Sequence, residues 1–242
     1  MRFYNLLSFL VCFFASISTN AEAVKQASNS VRHSARHGEC KNCKKAKRGM
    51  PQKAESFDDG LRAMNIPENY RLPEIIIGKS SALHKVTIYM SFTCGHCREF
   101  HDKEFPKFRK RYVDTGHVKV CLKFYIDDPG ALESAIIVRC FGGKSTEKIE
   151  SLAQKMFNKQ QEWMRSSDPK QFLRDIFVNS GYTRAQVEKC IADSSISAGL
   201  MKDLQEAKNK RGIRMVPAFY FGESAHNGVL TSEQLAQKMN LN

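Results

Sequence analysis

After the first 17 residues, no segment of the 242-residue chain is long or apolar enough to cross a bilayer. The mature protein is therefore expected to be soluble. Acid is scarce beside base, with 25 Asp and Glu against 38 Lys and Arg and a net charge of +13. Residues 24–56 hold nine Lys or Arg against only Glu39 and Glu55, so a short arm carries more than half of that charge. The arm has no aromatic residue before Phe57, and stacking on bases needs one, which argues against a nucleic-acid partner. A solvated extension near anionic lipid or an acidic protein is the expected role. No cofactor motif surrounds Trp163 and Met164, which read as core, and no cofactor is expected. No two cysteine pairs stand at the spacing of a zinc ribbon or finger.

The first residues form an export signal. Met1-Arg-Phe-Tyr-Asn precedes an apolar run from Leu6 to Ile17, and small residues lead to Ala21-Glu-Ala23. Residues 1–23 are expected to be removed and the protein to be periplasmic. Cys12 follows the bulky Val11, which argues against a lipid anchor. Export leaves Cys40, Cys43, Cys94, Cys97, Cys121, Cys140 and Cys190 in an oxidising compartment, where cysteines pair. An odd number leaves one free thiol or an intermolecular link.

The most informative stretch runs from Val86 to Phe100. Val86 to Phe92 is β-branched and aromatic, as in a buried strand. Cys94-Gly-His-Cys97 follows, and Phe100, Phe105, Phe108 and Tyr112 then mark the apolar face of a helix, which Pro106 should kink. Cys94 thus stands where a strand hands over to a helix, close to unpaired N–H groups and the positive end of the helix dipole. Both favour its thiolate, and His96 adds to them. Cys97, one turn deeper, is placed to attack a mixed disulfide on Cys94, an arrangement suited to thiol–disulfide exchange. Cys40-Lys-Asn-Cys43 has neither a strand before it nor an apolar face after it. A local disulfide, a link between copies, or metal capture with His33 and His37 all remain open for it.

A first strand is expected over Leu72–Ile77, a third over Val118–Ile126, and helices from Ala131 to about Gly212. Strands return over Met215–Phe221 and around Gly228–Leu230, and Thr231 or Ser232 caps a last helix. Pro217 near the start of a strand indicates either an edge or a cis bond beside Cys94.

Cys94-Gly-His-Cys97 after a β-run, a helical block between the two halves, and Val216-Pro217-Ala-Phe before a hairpin and helix resemble the DsbA-like thiol–disulfide oxidoreductases. That resemblance covers roughly residues 70–240. It implies an α/β, thioredoxin-like fold with an inserted α-helical domain. The thioredoxin-like part takes residues 67–130 and 213–242, the insertion takes 131–212, and residues 24–66 form a basic extension that builds a homo-oligomer in isomerase-like relatives. It also implies that Cys94 is the exposed nucleophile, Cys97 its buried partner, and Gly95 and His96 the dipeptide that tunes the potential. Val216 and Pro217 would bind substrate main chain, with Pro217 cis. Cys140 and Cys190 match a second disulfide of some members, which leaves Cys121 as the odd buried thiol. Expected partners are unfolded or reduced proteins and a membrane redox protein that regenerates the pair. Gly-His points to isomerases and Val216 to oxidases, so the direction stays open. A metal-handling thioredoxin-like protein of the envelope is the alternative.

Overall fold

The computed structural model describes Pro67 and residues 69–241. The chain divides into two units, Met1–Ala54 and Glu55–Asn242, and everything below concerns the second. The expected signal peptide, the basic arm and its Cys40, Cys43, His33 and His37 lie outside the described residues.

Five strands form one sheet in the order β1-β3-β2-β4-β5. They are β1 (Ile75–Ile77), β2 (His84–Met90), β3 (Val118–Phe124), β4 (Ala218–Tyr220) and β5 (Ala225–Asn227). The β2–β3 pair is parallel and the other pairs are antiparallel. A parallel pair needs a crossover, and helix α1 (residues 95–113) supplies it. Val86 to Met90 is buried on both faces, which explains why β2 reads as continuously apolar and not as alternating. Val86, Ile88 and Met90, so buried, each contribute about 1.5–3 kcal/mol.

Helix α1 is not uniform. Its turns are α-helical over Gly95–Glu99 and Phe105–Phe108, and widen to π-helical over Phe100–Glu104 and Arg109–Val113. The expected disturbance at Pro106 takes this form: proline has no N–H to give the preceding turn, and the N–H of Phe105 reaches back to the carbonyl of Phe100. The wider turns keep Phe100, Phe105, Phe108, Tyr112 and Val113 buried together.

Between β3 and β4 lie α2 (Pro129–Gly142), α3 (Thr146–Met164), α4 (Pro169–Val178), α5 (Arg184–Ile191) and α6 (Ser194–Lys210). Asp128, Ser145, Asp168, Thr183 and Asp193 cap their N-termini with side-chain oxygens, and Thr183 closes a capping box with Gln186. Helix α7 (Ser232–Lys238) ends the fold behind a second capping box, Thr231 with Gln234. Among the described residues, no helix is long and apolar enough to cross a membrane.

Every strand has at least one end that differs from expectation. β2 is His84–Met90 against Val86–Phe92, β3 stops at Phe124 and not at Ile126, and β4 covers Ala218–Tyr220 within the expected Met215–Phe221. β1 and β5 are displaced for a local reason. β1 begins at Ile75 and not at Leu72 because Pro73 has no N–H for the ladder, and its carbonyl instead accepts from Arg139 Nη2 at 2.7 Å. Leu72 leaves the sheet to fill the space over Gly199 of α6, where an added Cβ would come within 2.5 Å of Leu72 Cγ. The last strand is Ala225–Asn227 and not Gly228–Leu230. Gly228 has φ +112°, which ends extended geometry, while its N–H bonds the Pro217 carbonyl at 2.9 Å.

Candidate active site

β2 stops at Met90, and Ser91, Phe92 and Thr93 turn the chain into α1. Cys94 caps that helix from an extended backbone (φ −86°, ψ 117°), so its sulfur points back over the first turn. Its Sγ accepts from the N–H of Cys97 at 3.3 Å. As a thiol, it also lies 3.3 Å from the carbonyl of Val216, 122 residues away, to which it donates. Cys94 is partly exposed. Its pKa is lowered to about 6, chiefly because the Cys97 thiol hydrogen-bonds the thiolate. Burial opposes the shift, while the backbone N–H groups of Cys97 and His96 and the His96 charge add to it.

Cys97 is 0 % exposed and accepts the N–H of Ser91 at 3.4 Å. Burial, followed by the neighbouring Cys94, pushes its thiol far up, so it stays neutral. The two sulfurs of one pair are thus set apart, one ionised at the surface and one protonated beneath it. The His96 side chain is exposed, with Nδ1 3.8 Å from Glu99. Gly95 needs no special room, since a Cβ there would meet nothing within 4 Å.

The Val216–Pro217 bond is cis. Of the two sequence readings, the edge strand is corrected: β4, which starts at Ala218, lies between β2 and β5. Pro217 needs no ladder donor because it precedes the strand.

Two groups around the turn carry no signature in the motif itself. Ser91 Oγ donates to Asp127 Oδ1 at 2.8 Å and lies 2.9 Å from Thr93 Oγ1, which reaches the same carboxylate at 3.4 Å. Gln160 of α3 donates to the carbonyls of Phe92 at 2.8 Å and Cys94 at 2.9 Å.

Away from the turn, Cys140 of α2 and Cys190 of α5 are bonded, with Cα atoms 5.7 Å apart. Free cysteines among the described residues are Cys94, Cys97 and Cys121. Cys121 is buried in β3, and its thiol is pushed up to about 11 by burial and by Glu74. Among the described residues, no three His, Cys, Asp or Glu side chains cluster as metal ligands would.

The profile of the family described as Thioredoxin matches residues 71–240. The chain belongs to the thioredoxin family. Its fold is the DsbA-like form, with helices inserted in the thioredoxin-like unit. The crystal structure of Wolbachia pipientis alpha-DsbA1 superposes with a TM-score of 0.62 at 25 % identity, covering 70 % of this chain and 92 % of that one. A Rickettsia conorii protein whose name describes a protein-disulfide oxidoreductase is 24 % identical over 181 residues, 75 % of this chain. A Rickettsia bellii protein of like name is 25 % identical over 158 residues. The matches span 63 % and 58 % of the lengths of these two curated relatives.

Proposed function

We propose that the chain is an exported thiol–disulfide oxidoreductase that forms or isomerises disulfide bonds in secreted proteins through Cys94 and Cys97. One observation carries this reading. A partly exposed sulfur is held 3.3 Å from both a backbone donor and the Val216 carbonyl, and its partner thiol is sealed directly beneath it. In the oxidative direction a substrate thiolate attacks Sγ of Cys94 in the Cys94–Cys97 disulfide. That bond breaks, Cys97 leaves and takes up a proton, and a mixed disulfide joins Cys94 to substrate. A second substrate thiolate then attacks the substrate's own sulfur and Cys94 departs as a thiolate. The substrate gains a disulfide, and its two electrons now reside in the protein dithiol. A low leaving-group pKa speeds the last step, and a stabilised thiolate favours the reduced pair, so the disulfide form oxidises ordinary protein dithiols. Isomerisation starts from the other end, with the Cys94 thiolate attacking a wrong substrate disulfide.

Val216 and Pro217 serve as the substrate shelf in this reading, where extended main chain pairs with little regard to sequence. His96 and Gly95 face the incoming sulfur, and the Cys140–Cys190 bond is a staple between α2 and α5. An oxidised membrane protein would regenerate the pair in the periplasm. The test is to replace the resolving thiol. Cys97→Ser is expected to accumulate mixed disulfides when its Cys94 thiolate attacks a disulfide-bonded substrate protein and releases one substrate thiol, a product visible on non-reducing gels and lost with dithiothreitol. Trapping that persists in Cys94→Ala/Cys97→Ser would refute the assignment of Cys94 as nucleophile.

A further inference from the structure

Gln160 is 2 % exposed and stands on the stripe of α3 otherwise made of Ile149, Leu152, Ala153, Met156, Phe157 and Trp163. A buried primary amide costs free energy unless its donors are matched. Here Nε2 donates at 2.8 and 2.9 Å to the main-chain carbonyls of Phe92 and Cys94, on either side of Thr93. The Cys94 carbonyl also receives the first backbone bond of α1, from Arg98 N at 3.2 Å. The amide therefore fixes two peptide planes where strand becomes helix, and those planes set where the next N–H groups point. An N–H···S contact of 3.3 Å weakens steeply when the angle changes.

We propose that Gln160 is a positioning residue of the redox pair. By holding the Phe92 and Cys94 carbonyls it fixes the turn that presents the Cys94 sulfur to its backbone donor and to Val216. It also makes the helical insertion part of the redox centre. The inference rests on the assignment of Cys94 and Cys97 as the exchanging pair. Without the amide the turn relaxes, the thiolate loses stabilisation, and the reduced form is disfavoured against the disulfide.

Gln160→Met keeps length and volume and removes both donors. Its exchange equilibrium with glutathione is expected to move about threefold toward the protein disulfide, about 15 mV at 29.6 mV per tenfold change. Thiolate absorbance should titrate about half a unit higher. Urea unfolding of both redox states adds a reading that a packing role does not move: Gln160→Met loses more stability reduced than oxidised. Leu173→Ala, a core change in α4, serves as the control that destabilises both states equally. Equal losses with an unchanged glutathione equilibrium would overturn the proposal. If Gln160→Met does not fold, Gln160→Glu replaces it. Its neutral carboxyl retains one donor and its carboxylate none, so its equilibrium should depend more steeply on pH than that of the wild type, and a wild-type profile would overturn the inference. A wild-type protein whose Cys94 and Cys97 do not exchange with glutathione would instead refute the activity on which the inference stands.

Discussion

Reduced protein is expected to draw stability from Cys94 as the pH rises from about 6 toward 8.5. An unfolded cysteine ionises near 8.5. In the fold the Cys97 thiol and the N–H groups of Cys97 and His96 bring Cys94 down to about 6. Because the folded value is the lower one, the folded state binds fewer protons between those limits, and stability rises with pH there. The contribution is complete above about 8.5, shrinks as the pH falls, and is gone below about 6. Two and a half units correspond to about 3.4 kcal/mol as an upper bound. Cys94 is partly exposed, so solvent screening reduces this to about 1–2 kcal/mol. Cys97 and Cys121, whose thiols are held up by burial, act in the opposite sense as the pH reaches the unfolded value near 8.5, and the comparison with Cys94→Ala removes their contribution. The assay is urea unfolding of reduced protein at pH 5.5 and 8.5, with Cys94→Ala measured alongside to remove every other titrating group. Wild type should gain about 1–2 kcal/mol more than the variant, and its thiolate absorbance should rise near pH 6. Parallel pH dependence in the two proteins, or a thiolate transition near 8.5, would refute the argument. The same free energy stabilises the reduced form against the disulfide, so oxidising strength should grow through the same window.

Two further outcomes follow from local geometry. Cys140 and Cys190 close a loop of 50 residues, so replacing both with alanine should lower stability by about 4 kcal/mol in the chain-entropy model, and the glutathione equilibrium of Cys94–Cys97 should move far less. Gly95 follows an extended Cys94, occupies the first helical position, and has open space where a Cβ would go, so Gly95→Pro should fold and raise stability by about 0.4–1 kcal/mol, as read by thermal unfolding.

How much of this was legible depends on how local each feature is. Cys94 and Cys97 can be read because strand, turn and helix are contiguous: the residues that form the elements also carry the chemistry. The opposing wall is different. Val216 stands 122 residues from Cys94, and local pattern left Pro217 as either an edge residue or a cis bond. Only a resemblance spanning both halves brought the two together. Strand ends were misjudged where one residue outweighed a hydrophobic run. Pro73 cannot donate to a ladder, and Gly228 adopts a backbone that no strand uses. The helices were more legible, since Asp168-Pro169 and Thr183-x-x-Gln186 satisfy helix-end donors with residues a few positions away.

Gln160 did leave a signal, which composition hid. Its neighbours Asn158, Lys159, Gln161 and Glu162 are polar and exposed, so the segment reads as solvated surface. The 3.6-residue period through Leu152, Met156 and Trp163 nevertheless assigns position 160 to the buried stripe, where an amide is out of place unless something pairs with it. Arg139 has the same form at another point of contact between insertion and sheet. It is buried on α2, and its guanidinium donates to the Pro73 carbonyl just before β1. Apolar contact between the inserted helices and the thioredoxin-like unit supplies most of the attraction but is non-directional, so a helix could slide along it at small cost. A buried side chain donating to a main-chain carbonyl at 2.7–2.9 Å is directional, and leaving it unmatched costs about 1–3 kcal/mol. Arg139 fixes the insertion where the sheet begins, and Gln160 fixes it where the turn after β2 reaches Cys94. Polar residues on an apolar stripe are therefore where the sequence of an inserted domain should be searched for its grip on the host.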